Sequence, residues 1–313
     1  VRLVFVGTTR FGLRCLDVAR SLNDWDVVGV VTAPERLAIS YRPEGVLNVL
    51  HADVASYCRE RDLPYTVIEQ GMKGDGLFET ACTWRPDAFL VVGWYHMIPT
   101  RWRVLAPAYG LHASLLPDYS GGAPLVWALI NGERKTGITL FELADGVDNG
   151  PILGQAEMPI AEDDTIATLY GRIEEAGLGL VAEYLPAVAH GTAKRIPQDE
   201  RKRRVFPQRS PADGRINWRQ SADELYNFVR AQTKPYPGAF TSWRGQRMTI
   251  WSVAKRRSDT VGTAVAGVVS MNGDRPLVQT GRGMIELTEV EIEGRTLRGA
   301  ALRELAPIEI LGS

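Results

Sequence analysis

The sequence predicts an α/β fold: a doubly wound, mostly parallel sheet, followed by a small C-terminal β-barrel. Three observations carry this. Short apolar runs without polar alternation recur between helix-like segments in the first half, as in strands buried on both faces. A polar, basic, Pro-containing stretch over 191–211 interrupts the pattern. Beyond it come brief strand-like pieces separated by glycines, the signature of a small closed sheet. The 313 residues are enough for two domains, with expected limits of 1–206 and 207–313.

In order, Arg2–Gly7 reads as a strand and Phe11–Leu22 as a helix. A second strand spans Asp26–Ala33, and helical periodicity runs from Val46 to about Arg61. Pro64–Ile68 and Ala88–Trp94 supply further strands, with a helical piece near Pro99–Leu105. Thr136–Leu143 is strand-like, and Thr165–His190 is a long helix. Ser221–Thr233 reads as a helix with Ser221 as N-cap and Glu224 completing a capping box. Met248–Val253, Gly267–Met271, Pro276–Gln279 and Ile285–Val290 are the strands expected in the barrel. Gly7 and Gly12 do not make the G-x-G-x-x-G of a dinucleotide site.

Composition narrows the function. At 45% hydrophobic and 23% charged the chain is neither disordered nor collagen-like. Its net charge of −1 weighs against a protein that grips a long polyanion. That figure conceals an acidic 1–206 at −5 and a basic 207–313 at +4, so a phosphorylated substrate stays in play. Three separated cysteines, Cys15, Cys58 and Cys82, read as reduced packing residues, and no residue set has metal-ligand spacing. No run has the length of a membrane span, and Val1 opens directly into a strand-like run, which points to the cytoplasm. The apolar edges of a small barrel allow a homodimer.

Chemistry concentrates in 110–150. His112 and Asp148 each follow a strand, and the carboxyl edge of a parallel sheet is where open α/β folds place their sites. A His–carboxylate pair there suits proton transfer. On spacing alone, a packing role and a proton-transfer role for His112 both stand.

The same stretch resembles the 10-formyltetrahydrofolate-dependent formyltransferases. Their pattern is Asn-x-His-x-Ser-Leu-Leu-Pro, a Gly-rich loop ending in Pro, Thr-Gly-(Ile/Val)-Thr and Asp-x-Gly. His112, Ser114–Pro117, Thr136–Thr139 and Asp148–Gly150 fit in order. The likeness extends to Pro86-Asp87, to Arg209–Trp218 and to Arg230–Phe240. It implies 10-formyltetrahydrofolate as formyl donor, His112 as general base and Asp148 as the group orienting it. It further implies that the folate meets Trp94, Tyr95, His96, Met97 and Ile98, with Ser114 and Asp145, and that the acceptor meets Ser120, Gly121, Gly122 and Pro124. Two positions depart from the family: Gly110 stands where the motif has its oxyanion-binding Asn, and Ser120 where Arg is usual.

Within the family the chain is similar to the sugar-nucleotide branch that formylates UDP-4-amino-4-deoxy-L-arabinose, through Ala123–Trp127 and the Pro-Tyr-Pro-Gly-Ala-Phe run ending at Phe240. Ala33–Gly45 carries Arg36 and Arg42 against Glu35 and Glu44, a balance that favours a small acceptor over tRNA. The favoured acceptor is therefore an amino sugar nucleotide, with Arg204 and Arg209 as candidates for its phosphates. The alternatives are methionyl-tRNA, another amine such as a carrier-bound amino acid, or folate or nucleotide-sugar binding without turnover.

Overall fold

The computed structural model describes residues 1–39, 42–68, 71–256, 265–305 and 310–312, with side chains over 38–44 left aside. Two compact units form. One comprises Val1–Gly121, Thr136–Met158 and Gly171–Val205; the other comprises Gly122–Lys135, Pro159–Tyr170 and Phe206–Ser313.

The chain runs β1 (Arg2–Val6), α1 (Arg10–Ser21), β2 (Asp26–Thr32), β3 (Arg36–Ile39), β4 (Arg42–Leu47), α2 (Val54–Arg59), β5 (Tyr65–Val67), α3 (Asp75–Thr83), β6 (Ala88–Val91), α4 (Thr100–Leu105), β7 (Ala108–His112) and β8 (Ser120–Gly121). It continues through α5 (Pro124–Ile130), β9 (Lys135–Glu142), β10 (Ile152–Pro159), α6 (Ile166–Ala189) and β11 (Val205–Phe206). Then come α7 (Ala222–Arg230), β12 (Ala239–Trp243), β13 (Gln246–Arg256), β14 (Val269–Asn272), β15 (Arg275–Gln279), β16 (Met284–Ile292) and β17 (Arg295–Arg298).

The first unit is built on a seven-stranded sheet in the order β10-β9-β7-β6-β1-β2-β5. Strands β5, β2, β1, β6 and β7 are mutually parallel, and β9 is antiparallel to β7. The central strands β1 and β6 are apolar beyond Arg2, and Leu3, Val4, Phe5, Phe89 and Leu90 are fully buried, as a sheet covered on both faces requires. Helix α1 begins at Thr9, whose hydroxyl accepts from Gly12 N–H, and buries the stripe Gly12, Cys15, Leu16 and Ala19. Trp102 on α4 packs edgewise on Phe89, 5.4 Å between ring centres.

Two expectations are corrected. The helix predicted over 46–61 is instead strand β4 followed by turns, with helix only over Val54–Arg59. The Asn48 carboxamide oxygen accepts from Leu50 N–H at 3.0 Å, an Asx turn that outcompetes helical pairing, and the helix waits for Asp53 to cap it. Within 33–45, the stretch of balanced charge, lie β3 and the start of β4, paired antiparallel; the Arg42 and Glu44 side chains lie outside the described residues. The second correction concerns strand direction. His112 stands opposite Thr139 and Tyr109 opposite Glu142, so β9 ends at the edge of the sheet away from His112. Asp148 does not share a carboxyl edge with His112 and reaches it by another route.

The second unit has an antiparallel sheet in the order β12-β13-β16-β15-β14, with β17 alongside β16. The terminal segment connects the two outer strands. Ile310 bridges Val268, Leu311 N–H donates to Gly267 O at 2.9 Å, and Gly312 N–H donates to Ser242 O at 2.9 Å, so the sheet comes round on itself. Its core holds Trp218, Leu225, Val229, Met248, Ile250 and Leu287. Helix α7 starts with the predicted capping box: Glu224 N–H donates to Ser221 Oγ at 3.3 Å, and Ser221 N–H donates to Glu224 Oε2 at 2.7 Å. Strands β12 and β17 were not individually predicted. Among the described residues no helix is long and apolar enough to cross a membrane.

Gly29 on β2 lies flat against Trp84: a Cβ there would stand 2.2 Å from the indole. Gly29→Ala is expected to lower stability by about 1–3 kcal/mol through overpacking, read as a lower urea midpoint at unchanged slope.

Candidate active site

Strand β7 presents Gly110 and His112 on one face, two residues apart. Leu143 continues the pairing with β7, its N–H donating to Ala108 O at 2.7 Å, and the chain then turns back toward His112. Leu143 lies over Gly110, where a Cβ would approach its Cδ2 to 3.0 Å. Asp148 then arrives beside His112, with Oδ2 3.6 Å from Nδ1. Both side chains are largely shielded, at 12% and 23% exposure.

The imidazole is held from its other nitrogen. His112 Nε2 lies 2.8 Å from the Tyr119 carbonyl, which can only accept, so the Nε2–H tautomer is fixed by backbone. Nδ1 is left facing the carboxylate. At 3.6 Å Asp148 is too distant for a strong hydrogen bond, so its relation to the ring is electrostatic. Asp148 Oδ2 accepts from Gly121 N–H at 2.8 Å, and Asp148 itself adopts a left-handed backbone, φ +50°.

The Ser-Leu-Leu-Pro run is anchored from beneath by Thr139, which is fully buried. Its hydroxyl donates to Ser114 O at 2.6 Å, and it accepts from Leu116 N–H at 3.2 Å and from Gln155 Nε2 at 2.9 Å. Gln155 also donates to Leu116 O at 2.9 Å. Ser114 Oγ turns inward to Asp118 O at 2.7 Å, and the buried Ser120 Oγ donates to Pro117 O at 3.0 Å. Both serines thus stabilise the loop. Ser120 N–H donates to Arg204 O at 3.0 Å. Arg204 makes a bidentate pair with Asp118, 2.7 and 2.6 Å, and lies over the Tyr119 ring.

The other predicted residues are dispersed. Gly122 and Pro124 fall in the second unit, where a Cβ on Gly122 would collide with Gln208 Cα at 2.4 Å and Pro124 opens α5. Arg209, also in the second unit, stacks on Trp127 at 4.6 Å and donates to Asp213 O and Gln232 Oε1, both at 2.8 Å. Burial pushes its guanidinium pKa down. Asp145 is an exposed partner of Arg103 at 2.5 Å, and the hydrogen bond from that arginine holds its carboxyl below the usual range.

On the loop after β6, Trp94 Nε1 donates to Met72 Sδ at 3.0 Å, and Tyr95 OH donates to Asn48 Oδ1 at 3.0 Å. Ile98 is buried, whereas Met97 is 62% exposed. His96 packs against Trp94, and burial pushes its imidazole pKa down. Its Nε2 is buried with no hydrogen-bond partner among the described residues. No group of three or more His, Cys, Asp or Glu among the described residues could hold a metal ion.

Sequence reasoning missed Gln198. Its Nε2 donates to Asp148 O at 2.8 Å and to Gly150 O at 2.7 Å. No motif marks it, since it sits 50 residues from Asp148 in a stretch conspicuous only for its basic charge. The Tyr119 carbonyl was equally invisible, being backbone.

Comparison with known proteins places this geometry. The family model for formyl transferase matches residues 1–185, and that for the formyl transferase C-terminal domain matches 209–302. A methionyl-tRNA formyltransferase of Koribacter versatilis is 35% identical over 299 residues, covering 94% of this chain and 91% of that protein. One from Halalkalibacterium halodurans is 31% identical over 327 residues, covering 100% and 98%. The fold is also that of an N-formyltransferase from Helicobacter canadensis crystallised with folinic acid and dTDP-3-aminofucose, with TM-score 0.64, 16% identity, and 92% and 98% of the chains covered. The two matched domains define a formyl-transferring enzyme. This chain belongs to the formyl transferase family and is an N-formyltransferase.

The expectation of an amino sugar nucleotide as acceptor is overturned. The relatives matching at 31–35% over nearly the whole chain are methionyl-tRNA formyltransferases, whereas the sugar enzyme resembles it at 16% and shares only the fold. The charge balance of one loop was too small a signal against full-length similarity.

Thr139→Val removes a hydroxyl serving three groups and strands one buried donor, Leu116 N–H. A loss of about 1–3 kcal/mol is expected in chemical denaturation, against about 0.5 kcal/mol or less for an exposed Thr→Val change.

Proposed function

We propose that this protein formylates the amino group of methionyl-tRNA, with 10-formyltetrahydrofolate as donor, in the cytoplasm. The observation that carries the reading is the 31–35% identity to methionyl-tRNA formyltransferases across 94–100% of the chain. The charge distribution is compatible: residues 207–313 carry a net +4 that can meet phosphate, while the acidic 1–206 supplies the chemistry.

Trp94–Ile98 would hold the folate. The orphaned, buried His96 Nε2 is a polar atom in an otherwise apolar loop, which suits the polar edge of a pterin. The bound donor supplies the formyl group. As the acceptor nitrogen bonds to the formyl carbon, His112 Nδ1 takes its proton, because Nε2 already carries the hydrogen given to Tyr119 O. Asp148 then faces an imidazolium. At 3.6 Å and an effective dielectric near 20 the attraction is about 4–5 kcal/mol before desolvation. His112 passes the proton to the folate nitrogen as the carbon–nitrogen bond to the formyl group breaks. Gly110 contributes no amide to the oxyanion, a loss of about 10²–10³ in rate for one donor against total accelerations of at least about 10⁶.

Purified protein should convert methionyl-tRNA to formylmethionyl-tRNA with release of tetrahydrofolate, and absence of product with intact substrates would overturn the proposal. Asp148→Asn keeps the acceptor for Gly121 N–H but loses the charge, so kcat should fall about 10²–10³-fold with KM for tRNA little changed. His112→Ala should fall at least as far.

Affinity for the tRNA should drop steeply with salt. With about four phosphates neutralised, raising salt from about 50 to about 200 mM weakens binding about 10²-fold. A salt-independent Kd would exclude a phosphate-dominated interface.

A further inference from the structure

Resting on the proton-transfer role just proposed for Asp148, we infer that Gln198 is its positioning residue. Gln198 touches neither ring nitrogen of His112 and acts only through the backbone of the returning loop. Its carboxamide nitrogen spends both hydrogens on the carbonyls flanking Asn149: Asp148 O at 2.8 Å and Gly150 O at 2.7 Å. Two bonds from one planar group to two carbonyls fix the orientation of both peptide planes, and with them the direction in which the Asp148 side chain leaves the chain.

The loop needs such a hold. Asp148 sits at φ +50°, a conformation that disfavours a residue with a Cβ and persists only where the surroundings over-determine it. Two residues on, Gly150 is pressed so close to Glu142 O that a Cβ there would lie 1.7 Å away. On the side-chain end, Gly121 N–H draws Asp148 Oδ2 to 2.8 Å. Gln198 supplies the opposing restraint on the main chain.

Gln198 is itself braced. Ile196 and Ile152 exchange backbone hydrogen bonds at 2.8 and 2.9 Å, which docks the segment against the start of β10. Arg195 Nε donates to Glu142 Oε2 at 2.6 Å and its Nη2 to Tyr109 OH at 3.0 Å, tying the segment to β9 and β7. The Oε1 of Gln198 is buried and accepts from no described residue. The side chain is thus present for its two donors, and a Glu of the same shape would set oxygens against both carbonyls.

The experiment is a double-mutant cycle on steady-state formyl transfer by the full-length protein, with Gln198→Met, Gln198→Glu and Asp148→Asn singly and combined. Gln198→Met is expected to lower kcat about 10–100-fold, as a displacement near 1 Å does. KM for both substrates should stay within about twofold. Gln198→Glu, closest in shape, should be impaired at least as much and serves if Gln198→Met fails to fold. In the Asp148→Asn background either change at 198 should cost less than about threefold more, because the group being positioned is gone.

Single variants within twofold of the parent kcat would overturn the inference, as would full additivity with Asp148→Asn, which marks a merely structural residue. If Asp148→Asn is itself silent, the proton-transfer reading fails first, and the two failures are told apart by that single variant.

Discussion

The antiparallel pairing of β9 with β7 governs the site. With Tyr109 opposite Glu142, the strand leading toward Asp148 delivers the chain to the wrong end of the sheet, and the carboxylate reaches His112 only because the chain turns back after Leu143. That return shapes its surroundings. It calls for a left-handed Asp148, a glycine at 150 and external donors, which Gly121 supplies to the side chain and Gln198 to the backbone. Leu143, the last residue to pair with β7, sets its side chain beside Gly110.

Much of the polar chemistry in this region is spent on holding the loop. Ser114 and Thr139, both buried, are bonded to each other beneath Leu116, and Gln155 reaches in from the exposed side of β10 to close the network. Arg204 and Arg209, two cations that look available for phosphate, are engaged by a carboxylate, carbonyls and aromatic faces. The pair closest to the chemistry, His112 and Asp148, is arranged differently. Its imidazole is fixed by a backbone acceptor and kept near a charge that it does not tightly bond.

The sequence disclosed what depends on local chemistry. Apolar runs located β1, β2 and β6, and the Ser221–Glu224 box located the start of α7. The residue types of the His–Asp pair were legible from a contiguous motif. Direction was not: periodicity says that 136–143 is a strand and nothing about which way it runs beside its neighbour. Asn48 hid a turn inside a helical pattern, because one side-chain hydrogen bond outweighed the spacing of apolar residues. Gln198 was silent since its partners are carbonyls, which every residue has. The acceptor was misread because the charge balance of one short stretch, 33–45, carries little information about which polyanion a whole chain meets.

The contact between Gly110 and Leu143 has a bearing on how this site can change over generations. A side chain at 110 and a full leucine at 143 compete for one volume, with 3.0 Å between the methyl carbon and the place a Cβ would take. The two positions, 33 residues apart in the chain, are thus coupled sterically on one face of the sheet. An amide introduced at 110 requires the Leu143 side chain to give way by a few tenths of an ångström, so the two residues can change together more freely than either alone. In any set of related sequences, the bulk at these two sites should trade off pair by pair.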